Sequence, residues 1–140
     1  VKTQLVLDVK NLRFEILFCD DVRQEANGKH ILIGVFGADI LPTMLPGVLP
    51  LAIYLRVFGM TKGDHHFRIT LTTNDGDLLG EIEGRTTVFD DTTASIFPFS
   101  AVAIHIEKPV AIVVNFSLNG SDLIPIGGIN IRAPIANVSS

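Results

Sequence analysis

The chain has 140 residues, of which 47% are hydrophobic and 19% charged, and a formal net charge of −4. That length suits one domain, and the apolar, lightly charged composition excludes intrinsic disorder. Val, Ile and Thr number 39 against 19 for Ala, Glu and Lys, a β-branched excess that argues against a helical protein.

Taken in chain order, period-2 alternation and turn residues predict short strands and no amphipathic helix. Thr3–Val9 and Arg13–Asp20 read as the first strands. Asn27-Gly28 is a turn signal, since both residues tolerate positive φ, and it leads into the apolar run His30–Phe36. A Pro- and Gly-rich connection extends through Pro50. Leu51–Phe58 follows, with Leu51, Ile53, Leu55 and Val57 on one face. In His66–Thr72, Phe67, Ile69 and Leu71 share a face. Asn74-Asp75-Gly76 turns that strand into Leu78–Glu83.

The region 84–98 lacks a clear period and leaves room for a short helical turn. Ala101–Ile106 alternates again. Val110–Leu118 and Leu123–Ile131 close around Asn119-Gly120 as a last hairpin. In its second strand, Ile124 and Ile126 have one parity, Ile129 and Ile131 the other. A bulge at Gly127-Gly128 restores the inward phase. Eight or nine short strands of this kind predict an all-β, two-sheet antiparallel β-sandwich of immunoglobulin or C2 character, with a closed β-barrel as the alternative. The expected domain spans residues 1–132, and 133–140 reads as a C-terminal tail.

Charge and cysteine usage narrow the functional classes. No run of Lys or Arg is present, so the electrostatic footprint of a nucleic-acid binder is missing. The stretch Ile40–Leu55 is uncharged, but Pro42, Pro46 and Pro50 interrupt it, whereas a spanning helix needs about 20 unbroken apolar residues. Cys19 is the single cysteine, which excludes an intramolecular disulfide and fits a reducing compartment. Residues 60–91 hold three cations and seven acids, and so carry all the net charge. The C-terminal 49 residues hold four charges, Glu107, Lys108, Asp122 and Arg132, which predicts that the last hairpin is covered by the chain itself or by a partner.

The densest polar cluster, Cys19-Asp20-Asp21-Val22-Arg23-Gln24-Glu25 followed by Asn27-Gly28-Lys29, lies between two apolar strands. On an extended segment Asp21, Arg23 and Glu25 share a face, so Arg23 is placed to bridge both acids or to hold one bidentately. That is either a charged recognition patch or a solvent-facing ladder that protects an edge. The residues Cys19, Asp20, Asp21, Arg23, Glu25, Gly28, Lys29, Gly34 and Phe36 resemble the C-D-D-x-R-x-E-x-x-G-K-x-x-x-x-G-hydrophobic-aromatic pattern of an uncharacterised bacterial protein family. The resemblance implies a bacterial, cytoplasmic protein and implies no chemistry.

Three other constellations bear on function. Asp75, Asp77, Asp90 and Asp91, with Asp64, fall near expected loops and form an alternative calcium set of C2-like character, although the D-x-D-x-D-G loop of a dedicated site is missing. His65 and His66 are adjacent and face opposite sides of a strand, which disfavours zinc. Cys19 with His30, His66 or His105 would make a nucleophilic pair, but its apolar neighbours predict a buried, inert thiol. No G-x-S-x-G, P-loop or G-x-G-x-x-G pattern occurs.

The remaining oddity is the Pro-x-x-x-Pro-x-x-x-Pro loop with its apolar residues. It is either a partner surface or a crossover packed over the sandwich end. These features predict a non-catalytic interaction or assembly module without a cofactor. Its contact residues are Asp21, Arg23, Glu25, Lys29, Met44, Leu45 and Leu49, and its partner is a protein or a second copy in a homo-oligomer.

Overall fold

The computed structural model describes residues 11–134. It contains β1 (Arg13–Gln24), β2 (His30–Val35), β3 (Gly47–Phe58), β4 (Gly63–Thr73), β5 (Leu78–Val88), β6 (Ser95–Ile106), β7 (Val110–Leu118) and β8 (Ile124–Ile131). The strand expected over Thr3–Val9, and all but the first two residues of the expected tail, lie outside the described residues.

The strands form two four-stranded sheets, ordered β2-β1-β3-β6 and β5-β4-β7-β8. All pairs of these strands are antiparallel, and the sheets do not close into a barrel. The architecture is therefore sandwich-like, as expected.

Alternation builds the core between the sheets. Leu51, Ile53, Leu55 and Val57 of β3 are buried, as are Phe67, Ile69 and Leu71 of β4 and Ile112, Val114, Phe116 and Leu118 of β7. Each such side chain taken out of water contributes roughly 1.5–3 kcal/mol. Edge-to-face rings join the layers: Phe14 meets Phe116 at 5.2 Å and Phe67 meets Phe97 at 4.8 Å between centroids, a geometry the ring quadrupole favours.

The expected bulge is present. Pairing of β7 with β8 shifts between Val114 and Asn115, skipping Ile126, and Ile124, Ile126, Ile129 and Ile131 all reach the core. Gly128 sits where a Cβ would lie 2.5 Å from the Ile112 carbonyl oxygen, so the strands approach too closely there for any side chain.

Several boundaries differ from expectation, β4 among them, which starts at Gly63 and not at His66. β1 runs through the polar cluster to Gln24. β3 begins at Gly47, four residues early, with Pro50 in the strand just beyond the Cys19–Ala52 pair where β1 leaves β3. The region 84–98 holds no helical turn, because β5 continues to Val88 and β6 starts at Ser95. Non-alternating Gly84-Arg85-Thr86-Thr87 extends the ladder with β4 instead.

The concentration of charge at residues 60–91 has a structural home on the outward face of the β4–β5 hairpin. There His66 faces Glu83 at 2.8 Å and Arg68 faces Glu81 at 2.6 Å, while the Thr87 hydroxyl donates to Asp64 at 2.6 Å. The weakly charged C-terminal hairpin is covered in part by the chain. Ile40 forms a parallel bridge to Ile131, donating its N–H to Asn130 O and accepting from Arg132 N. An Asp39–Arg132 ion pair flanks that bridge.

Candidate interaction surface

The β1–β2 hairpin does not continue flat. Its tip is closed by the residues read as a turn: Gly28 has φ +87°, its N–H donates to Glu25 O, and Glu25 N donates to Lys29 O. Asn27 Oδ1 accepts from Lys29 N at 3.0 Å. In register, His30 pairs with Gln24 and Tyr54 with Leu17. A flat sheet would therefore separate His30 from Tyr54 by seven positions along β1, about 23 Å at about 3.3 Å per residue. Their ring centroids are 5.4 Å apart. The hairpin is folded back across the outward face of its own sheet.

This fold-back creates a second apolar cluster, separate from the main core, of Cys19, Val22 and Ala52 with Leu32 and Tyr54 packed on it. Cys19 is wholly buried, with Sγ 3.8 Å from Ala52 O. Burial pushes its thiol up from the ordinary value, and the neighbouring Asp20 charge adds to the effect. The histidines considered as its partners are engaged elsewhere: His30 against Tyr54, His66 with Glu83 and His105 with Glu107. His65 is buried, and its Nε2 stands 2.7 Å from Thr61 O.

The charged candidates divide between the two ends of the hairpin. Asp21 Oδ2 accepts from Arg23 Nε at 3.0 Å and Oδ1 accepts from Val22 N at 2.9 Å. The Arg23 hydrogen bond, followed by those of the Val22 and Ala101 backbone N–H groups, holds the Asp21 carboxyl below the usual range. Arg23 thus grips one acid and not both. Glu25 and Lys29 are exposed at the tip. The tip folds towards Tyr54.

Among the apolar candidates, Leu45 and Leu49 are half-buried and pack against the main core. Met44 stands free at 69% exposure, with Leu41 at 57% and Val48 at 66%. The signal that places Val48 outward and Leu49 inward is the alternation of β3, which starts at Gly47 and was masked in the sequence by Pro50. These residues rim a cleft of about 330 Å³ between the β2–β3 connection and the strands below, with Leu45, Leu49, Phe36 and Ile106 in its walls. Asp20 lines it too, a residue that alternation placed on the face opposite Asp21 and that the expected contact set left out. The base of the charged hairpin and the apolar loop therefore share one surface.

The structure does not bring the alternative calcium set together. Asp75 and Asp77 precede β5 and Asp90 and Asp91 follow it. The 11-residue strand sets the two pairs about 30 Å apart, too far for one ion. Asp75 instead meets Lys108 at 3.3 Å, and the Asp77 N–H donates to Thr73 Oγ1 at 3.1 Å. Asp90 accepts from the Thr92 hydroxyl and N–H. Those bonds, the hydroxyl first, hold its carboxyl below the ordinary value. Among the described residues no group of three His, Cys, Asp or Glu side chains is arranged to hold a metal ion. No described helix is long and apolar enough to cross a membrane.

Fold and surface together define a sandwich-like all-β domain with a folded-back charged hairpin beside an exposed apolar loop. The chain belongs to DUF6941, a family of unknown function, whose match spans residues 15–125. All nine positions that carried the resemblance, Cys19 to Phe36, fall inside that span. No curated protein matches the chain.

Proposed function

We propose that this domain is a non-catalytic interaction or assembly module of a bacterial cytoplasm, working without a cofactor or nucleic acid. It binds a protein, either a distinct partner or a second copy of itself. The observation that carries this reading is the exposure of Leu41, Met44 and Val48, at 57–69%, on the β2–β3 connection and the start of β3 around an apolar cleft. Clustered apolar side chains left in water mark association surfaces, and Asp20 in the cleft wall supplies a polar group of the kind such surfaces carry at their edges. Burial of the rim gives affinity, and the charge selects the partner.

Light scattering coupled to size exclusion tests the self-association arm. Concentration-dependent growth in mass that Met44→Ser with Val48→Ser abolishes, without loss of the β-sheet signal, supports it. A monodisperse monomer at the highest concentration reached overturns that arm.

A further inference from the structure

We propose that the cleft takes a segment of the partner chain that carries one basic residue flanked by apolar ones, with Asp20 as the group that receives the charge. This rests on the interaction reading above and specifies the partner's chemistry. Among the described residues Asp20 is the only charged one lining the cleft, and its walls are otherwise mostly apolar, with Phe36, Leu45, Leu49 and Ile106 among them. Adjacent Asp21 is occupied by Arg23, whereas Asp20 enters no ion pair among the described residues.

The backbone makes room for this carboxylate. Opposite it stands Gly34 at φ +65°, where a Cβ would overlap the Asp20 carboxyl group. Any other residue at 34 would displace the acid and strain the strand. A Lys or Arg suits the combination, because its aliphatic stem lies along apolar walls while its charged end reaches an acid. Met44 and Val48 carry the apolar lining out to the exposed rim of the cleft, so the occupant is longer than one side chain. A chain segment covers both cleft and rim.

The test uses three peptides, acetyl-Leu-Lys-Leu-amide and its norleucine and glutamate counterparts, titrated into the full chain at low salt and followed by amide chemical shifts. The lysine peptide is expected to perturb Phe36, Leu45 and Leu49, and to bind about threefold to fivefold more tightly than the norleucine peptide. The glutamate peptide is expected to bind most weakly. Asp20→Asn should remove the lysine advantage and leave norleucine binding unchanged. If that variant does not fold, Val48→Arg at the exposed rim should weaken the lysine peptide selectively. Equal binding of lysine and norleucine peptides overturns the proposal and leaves the interaction reading standing. Shifts outside the cleft, or none with any peptide, overturn the cleft as a docking site, whereas failure of the interaction reading is read separately from the Met44 and Val48 association test.

Discussion

The rings of His30 and Tyr54 meet edge to face, 5.4 Å between centroids and 61° between planes, although the strand register alone would hold them far apart. That contact fixes the hairpin over Cys19 and Ala52 and explains why a thiol on the outward face of a sheet is sealed from water.

Cys19 is therefore a reporter of the hairpin. In the native chain it should react with an aromatic disulfide reagent far more slowly than in the unfolded chain. Tyr54→Ala removes the contact on one side and Val22→Ala thins the lid on the other, each costing about 1–3 kcal/mol of local closure. Either should speed labelling by about fivefold to a hundredfold, since about 1.4 kcal/mol is a factor of ten. Labelling of the unaltered native protein at the unfolded rate would show that the lid is not closed.

The same burial predicts an alkaline weakness. The folded state raises the Cys19 pKa above its ordinary 9.0, so folding holds the proton more tightly than the unfolded chain does. The resulting stabilisation is full below pH 9.0 and declines as the pH climbs through that value towards the folded one. Urea midpoints measured on either side of pH 9.0 should fall with pH in the native sequence and fall less steeply in Cys19→Ala. The comparison is of slopes, because the substitution also lowers stability at every pH by leaving a small void. Parallel slopes would refute the assignment.

Close strand approach at the last hairpin gives a third expectation. Gly128→Ala would place a methyl group 2.5 Å from the Ile112 carbonyl oxygen, a backbone atom that cannot rotate away. Overpacking of this kind costs about 1–3 kcal/mol. Gly37→Ala is the control, since its Cβ would meet nothing within 4 Å. Thermal unfolding should separate the two variants by several degrees, and equal melting points would contradict the register of β7 with β8.

Much of this architecture is legible in the residues themselves. Strict alternation in Phe67-Ile69-Leu71 and Ile112-Val114-Phe116 fixes which faces meet, and the switch of parity between Ile126 and Ile129 announces the bulge. What is not legible depends on contacts distant in sequence or on an uncertain start point. The fold-back is held by Tyr54 against His30, two positions whose proximity no local period encodes. Leu49 looks like loop because Pro50 hides the true start of β3 at Gly47. The two aspartate pairs of the calcium alternative seem to be a set only while the length of β5 between them is unknown. The candidate surface is thus located by its composition, while alternation in β3 turns Val48 outward and Leu49 inward.

Burial separates two classes of substitution on this surface. Leu45 and Leu49 pack against the main core, so Leu49→Ser removes apolar burial and places a hydroxyl against it, at a cost of about 2 kcal/mol or more. Met44 and Val48 are mostly in water, and Met44→Ser at such a site should change stability by less than about 0.5 kcal/mol. Chemical denaturation of the two single variants, read beside their association by light scattering, distinguishes them. Leu49→Ser is expected to lower the midpoint whether or not a partner is present. Met44→Ser is expected to leave the midpoint unchanged and to act on association alone. A destabilising Met44→Ser with neutral Leu49→Ser would invert the inward and outward faces of β3 and the loop before it.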